Sequence, residues 1–194
     1  PALQVIRSLW MWKLFYHVEG FHLMGDGVHQ KVIERDPILH GTKKMFSEMD
    51  GNTEAENMLA EYNAGFMQDM RRFLKSDEGM ISGAEFHVRR NTGIFGTVNY
   101  MTSQDGFTLY DTVSYNYRHN EANGEDNRDG SEFNYSWNCG VEGPTRRQVI
   151  RRMREQQMRN AFLMLLLSQG TPMIYGGDEF ANSQAGNNNA WCQD

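Results

Sequence analysis

The sequence has almost no cysteine, no long apolar run and no surplus of positive charge, and each lack removes a class of function. Only Cys139 and Cys192 occur among its 194 residues. Two thiols at that spacing match no metal-ligand pattern and suit a reducing compartment, cytoplasmic by expectation. The longest apolar run, Ala161 to Leu167, is far shorter than the roughly 20 residues of a membrane span. It reads as the buried part of a helix, and no membrane partner is expected. Asp and Glu number 25 against 19 Lys and Arg, a net charge of −6. That is the wrong sign for a nucleic-acid partner, whose phosphates call for a clustered positive surface. The one basic cluster, Arg146, Arg147, Arg151, Arg152 and Arg154, precedes an apolar helical stretch and reads as its solvated face. No internal repeat stands in the chain, no cofactor or metal is expected, and no secretory leader opens it. Pro1 and Asp194 read as cuts, so residues 1–194 are expected to be one segment of a single larger domain.

What is present alternates helical stretches with short apolar runs, the pattern of βαβ units and a parallel sheet. Leu3 to Tyr16 carries Val5, Leu9, Trp12, Phe15 and Tyr16 at helical spacing. His17 to Leu23 is a strand candidate broken by Gly25, Asp26 and Gly27. Val28 to Arg35 reads as a short helix stopped before Pro37. Lys43 to Glu48 and Leu59 to Asn63 are further strands, and Phe66 to Lys75 an amphipathic helix. Gly96 to Thr102 is a strand, Arg146 to Ser168 a long helix, and Thr171 to Tyr175 the last strand. From Phe107 to Pro144 the chain is polar and rich in aromatic residues. Structureless stretches of that length inside a domain are usually functional or disordered, and the aromatics argue against disorder.

Three strands run into carboxylates: Glu48, Asp105, and the pair Asp178 and Glu179. In a parallel α/β barrel the reactive groups lie at the C-terminal ends of the strands. Glycosidic hydrolysis needs two carboxyl groups in different protonation states. Each of these side chains also has a plainer reading, as the cap of a following helix. The Tyr- and Trp-rich loop could stack on sugar faces while its amides and carboxylates bind hydroxyls, or could pack its aromatics against the barrel rim. The acidic run from Glu121 to Asp129 lacks the ordered spacing of a calcium loop and reads as solvated.

Several long stretches then become specific: His119-Asn120-Glu121-Ala122-Asn123-Gly124-Glu125-Asp126-Asn127-Arg128-Asp129-Gly130, Ser136 to Pro144, Leu165 to Met173, Gly177 to Phe180, and Gly186 to Asp194. Together they resemble the debranching branch of the α-amylase superfamily, the isoamylases and bacterial glycogen debranching enzymes. The resemblance spans almost the whole chain and is weak at residues 51–60 and 76–93. It implies a partial (β/α)8 TIM barrel, here strands four to eight, and an α-glucan such as glycogen, starch or a branched maltooligosaccharide as partner. It also implies a retaining hydrolase of α-1,6 branches, with Glu48 at the general-acid position and Asp105 at the position that stabilises the transition state.

One part of the pattern is missing. The family reads Asp-Gly-Phe-Arg-Phe-Asp at the fourth strand, where this chain reads Glu19-Gly20-Phe21-His22-Leu23-Met24. Met24 stands at the nucleophile position, His22 replaces its Arg partner, and Gln104 replaces the His before Asp105. A thioether cannot form a glycosyl ester. Asp26, two residues on, would sit about 6–7 Å further along the chain and reads as a cap for the next helix. His22, Gln104, His119 and Trp137 are the expected substrate-contacting residues. The expectation is therefore a debranching-type segment with no activity of its own, or else a non-catalytic glucan-binding or regulatory relative. The cut barrel leaves open strand edges through which copies could associate.

Overall fold

The computed structural model describes residues 2–25, 28–49 and 58–190. Asp26 lies outside the described residues, as do 50–57 and Cys192. Helices α1 (Ala2–Tyr16), α2 (Gln30–Glu34), α3 (Ala64–Leu74), α4 (Ile81–Arg89), α5 (Leu109–Thr112) and α6 (Gln148–Leu167) alternate with strands. The strands are β1 (Gly20–Leu23), β2 (Lys43–Phe46), β3 (Leu59–Asn63), β4 (Gly96–Tyr100) and β5 (Thr171–Met173). They form one five-stranded parallel sheet in the order β1-β2-β3-β4-β5. Spatial order equal to chain order, with no reversal, is the winding of a barrel wall; an open doubly wound sheet would switch direction. The expected partial (β/α)8 architecture is what the sheet shows.

The chain divides into two compact units, residues 1–63 with 91–98, and residues 64–90 with 99–194. The core of the first gathers Ile6 and Leu9 of α1, Leu23 of β1, Ile33 of α2, Leu39, Phe46 of β2 and Leu59 of β3. β1 pairs with β2 from Gly20↔Lys43 to Leu23↔Phe46, and β2 with β3 from Lys44↔Leu59 to Phe46↔Glu61. Asp36 organises the α2–β2 turn. Its Oδ1 accepts the Trp10 indole N–H at 2.9 Å and the backbone N–H groups of Ile38 and Leu39 at 2.9 and 3.0 Å. One carboxylate thus ties α1 to the turn that feeds β2. The buried stripe of α1 follows Ile6 and Leu9, whereas Trp12, Phe15 and Tyr16, expected on the apolar face, are exposed.

The core of the second unit joins α3 (Phe66, Met70), α4 (Ala84), the turn after β4 (Met101), α5 (Leu109, Val113 beyond it), Cys139 and α6 (Met158, Ala161, Leu165). Helix α4 has no counterpart in the sequence reading. Its sequence contains Ser82 and Gly83, poor helix formers. What holds it is tertiary. A Cβ at Gly83 would stand 2.7 Å from Asp69 Oδ2, so the glycine lets α4 lie against α3. There the buried His87 pairs with Asp69 at 3.2 Å.

Strand ends also differ from expectation. β2 stops at Phe46, two residues before Glu48, and β5 stops at Met173, two before Tyr175. Apolar pattern marks burial, whereas a strand ends where its ladder partner ends. The 107–144 stretch is ordered, with α5 and a single 3₁₀ turn at Glu121–Asn123 inside it.

Candidate functional site

In the first unit the strand ends bring Met24 and Glu48 onto adjacent positions. Leu23 and Phe46 close the β1–β2 register, so Met24 is one residue past β1 and Glu48 two past β2. Both side chains are exposed, Met24 at 56%. A hollow of about 330 Å³ lies beside them, lined by Leu23, Gly25, Val28, Gln30, Phe46, Ser47 and Glu48. His22, inside β1, stacks on Tyr62 of β3 with ring centroids 4.1 Å apart. Its buried Nε2 has no hydrogen-bond partner among the described residues. Burial lowers its pKa from the ordinary 6.5, because imidazolium loses hydration there. His22 therefore packs on Tyr62 in a setting that disfavours its charged form.

In the second unit Gln104 and Asp105 are exposed on the turn after β4. Ser103 fixes that turn: its Oγ accepts the Asp105 N–H at 3.2 Å and donates to the Asp105 carbonyl at 3.0 Å. Gly106 N–H then donates to the Asn188 carbonyl at 3.1 Å. Asn188, 1% exposed, is the hub of the loops. Its backbone N–H donates to Asn120 Oδ1 (2.9 Å), its Oδ1 accepts from Asn120 Nδ2 (2.8 Å), and its Nδ2 donates to Asn134 Oδ1 and the Ser131 carbonyl, both at 2.7 Å. Asn123 Nδ2 and Asn189 Nδ2 donate to Asp129 at 2.6 and 2.8 Å. The Asn189 and Asn123 amides hold the Asp129 carboxyl below its usual range. Glu121, Glu125 and Asp126 of the acidic run are exposed, as expected of a solvated loop, while Asp129 at its end is tied into the asparagine network. Among the described residues no group of three His, Cys, Asp or Glu could hold a metal ion.

Two glycines allow this packing. At Gly130 (φ +74°) a Cβ would stand 2.1 Å from Asn188 Oδ1, and at Gly186 (φ +80°) 2.7 Å from the Tyr115 ring and 2.9 Å from that of His119. His119 donates its backbone N–H to the Gly186 carbonyl at 2.8 Å, and its ring Nε2 lies 3.3 Å from Glu142 Oε1. Glu142 also receives the backbone N–H of Asn116 (2.9 and 3.1 Å), that of Tyr117 (3.1 Å) and Asn138 Nδ2 (2.9 Å). Partial burial alone would raise the Glu142 pKa, but these donors outweigh it and hold the carboxyl below its ordinary value. Trp137 borders a small apolar recess with Leu74, Met101, Leu109, Val113 and Tyr135, so its ring serves the packing of the loop.

Arg154 overturns its expected role. Arg146, Arg147, Arg151 and Arg152 are solvated as read, but Arg154 is 1% exposed. Its guanidinium donates to the carbonyls of Gly143 (2.8 Å), Asn138 (3.1 Å), Ser114 (3.5 Å) and Val141 (2.5 Å). Helical spacing identifies the element but not which long side chain turns inward. Two other buried groups are structural. Asp178 accepts from Thr102 Oγ1 and from the Leu109 N–H at 2.9 Å, so it ties down the start of α5 and does not cap the helix that follows its own strand. Asp111 receives Ser183 Oγ at 2.5 Å and the Gln184 N–H at 2.7 Å. Burial pushes both carboxyls up against these hydrogen bonds. Sequence reasoning passed over Glu142, Asn188 and Asp111, since each has partners more than twenty residues away.

No protein-family model matches the chain. A glycogen operon protein GlgX homolog of Mycobacterium tuberculosis is 36% identical over 221 residues, covering 100% of this chain and 31% of that protein. Isoamylase 1, chloroplastic, of Arabidopsis thaliana is 38% identical over 84% of this chain and 23% of its own length. A glycogen debranching enzyme of Dickeya chrysanthemi is 46% identical over 70% of this chain and 22% of its own length. The chain belongs to the debranching family of α-amylase-type glycoside hydrolases. It spans about a third or less of the length of these debranching relatives. The same fold recurs in pullulanase from Bacillus acidopullulyticus, with a TM-score of 0.60 at 18% identity over 96% of this chain and 24% of that one.

Two outcomes test this debranching-family site. Replacing Arg154 by Met should cost about 3 kcal/mol, because several buried carbonyls lose their donor; urea unfolding would measure it, and a loss below about 0.5 kcal/mol would contradict the clamp. His22 has a lowered folded-state pKa, so its share of stability is complete above pH 6.5 and is lost as pH falls below it. The slope of stability against pH below 6.5 should shrink in His22→Phe, and an unchanged slope would refute the assignment.

Proposed function

We propose that the chain is the fourth-to-eighth-strand part of the catalytic barrel of an α-glucan debranching hydrolase, and that by itself it does not hydrolyse α-1,6 branches. The relatives named isoamylase and glycogen debranching enzyme support the substrate class. One observation carries the inactivity: Met24, exposed one residue past β1, occupies the position that we assign to the nucleophile.

In the double-displacement route a carboxylate attacks the anomeric carbon while an acid protonates the leaving oxygen. Glu48 is the acid position, past the neighbouring strand β2, and Asp105 the hydroxyl-binding carboxylate. Neither supplies the attacking oxygen. A Met sulfur carries no charge to form the glycosyl ester and no proton to exchange. His22 fits the same reading, since its ring packs on Tyr62 with no carboxylate to support.

A second reading, a non-catalytic glucan-binding or regulatory relative, is favoured by the state of the second unit. Its Asp105 turn and the His119 loop are fully braced by Asn188, Glu142 and Arg154. Gln104 and His119 are the residues we assign to sugar contact, since His22 packs on Tyr62 and Trp137 borders the apolar recess of the loop. Two cysteines suit a reducing compartment such as the cytoplasm; the plant relatives are named chloroplastic. No helix among the described residues is long and apolar enough to cross a membrane.

The purified chain should release no reducing ends from glycogen or pullulan. Release that Glu48→Gln abolishes would overturn the inactivity. Calorimetry with a branched maltooligosaccharide should show binding, and no heat at millimolar ligand would sink the glucan reading. β1 and β5 end the sheet order, and bare strand edges invite pairing. Sedimentation should therefore show a species heavier than 22.4 kDa, and a monomer at high concentration would refute edge association.

A further inference from the structure

Tyr117 has no place in the chemistry just described, yet its surroundings are those of a binding group. Its side chain is 73% exposed, while the backbone beneath it is fixed. The N–H groups of Asn116 and Tyr117 both donate to the Glu142 carboxylate. Asn138, whose own N–H donates to Asn116 Oδ1 at 2.9 Å, closes the ring of hydrogen bonds through its amide. Arg154 holds the carbonyls of Asn138, Val141 and Gly143 from the core side. The chain thus commits a buried guanidinium and a fully occupied carboxylate to a segment whose aromatic ring packs outward. An exposed ring adds nothing to the core. A ring on a fixed backbone with only two side-chain torsions loses little freedom on binding.

His119 supplies the polar half. Its side chain is 40% exposed and faces Glu142 through Nε2. In the tautomer that donates Nε2–H to Glu142, Nδ1 is left as an acceptor. Two residues apart on one carboxylate, the chain offers a flat aromatic face and a hydroxyl acceptor. A pyranose presents the complement: a face of C–H bonds rimmed by hydroxyl groups. A protein partner would ask for a wider apolar patch, and Tyr117 stands among Asn116, Arg118 and Asn138.

We propose that Tyr117 is a stacking platform for one glucosyl unit of an α-glucan chain. His119 accepts a hydroxyl of that unit, and Glu142 acts as the positioning residue for both. The proposal rests on the glucan reading above and adds a subsite to it.

Maltoheptaose binding to the whole chain is measured by calorimetry for the wild type, Tyr117→Ala, Tyr117→Phe and Glu142→Gln, with thermal unfolding of each without sugar. Tyr117→Ala should weaken binding about tenfold with an unchanged unfolding midpoint, and Tyr117→Phe should stay within about twofold, since stacking needs the ring and not its hydroxyl. Glu142→Gln should weaken binding at temperatures where the variant is folded. If Tyr117→Ala binds like the wild type, the platform is refuted and the glucan reading stands. If the wild type itself binds no maltoheptaose, both fall. Equal losses in Tyr117→Ala and Tyr117→Phe would assign the effect to the hydroxyl and also refute stacking.

Discussion

The second unit depends on a buried guanidinium held by main-chain carbonyls. Arg154 enters the interior from α6 and is neutralised by main-chain carbonyls of Ser114 and of the 138–143 loop. Removing a guanidinium from water is costly unless its donors are satisfied. That cost explains the shape of the loop, because the carbonyls must converge on one point, which forces Cys139 (φ 56°), Gly140 and Gly143 into left-handed backbone. Glu142 is then presented on the far side of the same loop, where it gathers Asn116, Tyr117, Asn138 and His119. A cation below and an anion above clamp one stretch of chain between them.

Arg71 repeats the device in a milder form. It is buried, its pKa is pushed down to about 10 by desolvation and held up by the Asp178 charge, and it donates to the carbonyls of Met101 and Asn134. The Asp178 carboxylate in turn fixes Thr102 and the start of α5. The turn that presents Asp105 is therefore braced from its root by Asp178 and from its tip by Asn188. Met24, one residue past β1, is exposed, and its thioether side chain has no N–H or O–H to donate. The two units are unequally braced: a hydrogen-bonded loop system in one, and in the other a strand end that carries an exposed methionine.

The fold class was legible because parallel strands and helices write different periods, and five short apolar runs in the right alternation survive even in a fragment. β3 was read to the residue, since Leu59 to Asn63 is bounded by its own pattern. Helix α4 was not legible: Ser82 and Gly83 argue against a helix locally, and only the approach of Asp69 gives Gly83 its purpose. The inward turn of Arg154 was equally hidden, because four exposed arginines beside it carry the same sequence signal. The candidate site was written in motifs that stand in one run, as at Met24, Glu48, Asp105 and His119. It was illegible where partners lie far apart in the chain, as for Glu142 with Asn116 and for Asn188 with Asn120.

By itself the sequence determined the family and the winding of the sheet, because both are written in contiguous residues: a motif and a period of apolar side chains. Tertiary structure alone decided which charges are buried and what they hold. A guanidinium turns inward only when carbonyls from other segments meet it there. A run of asparagines becomes a scaffold only when two loops come within hydrogen-bond reach. Those distances depend on the folded chain as a whole, and no local stretch of sequence encodes them.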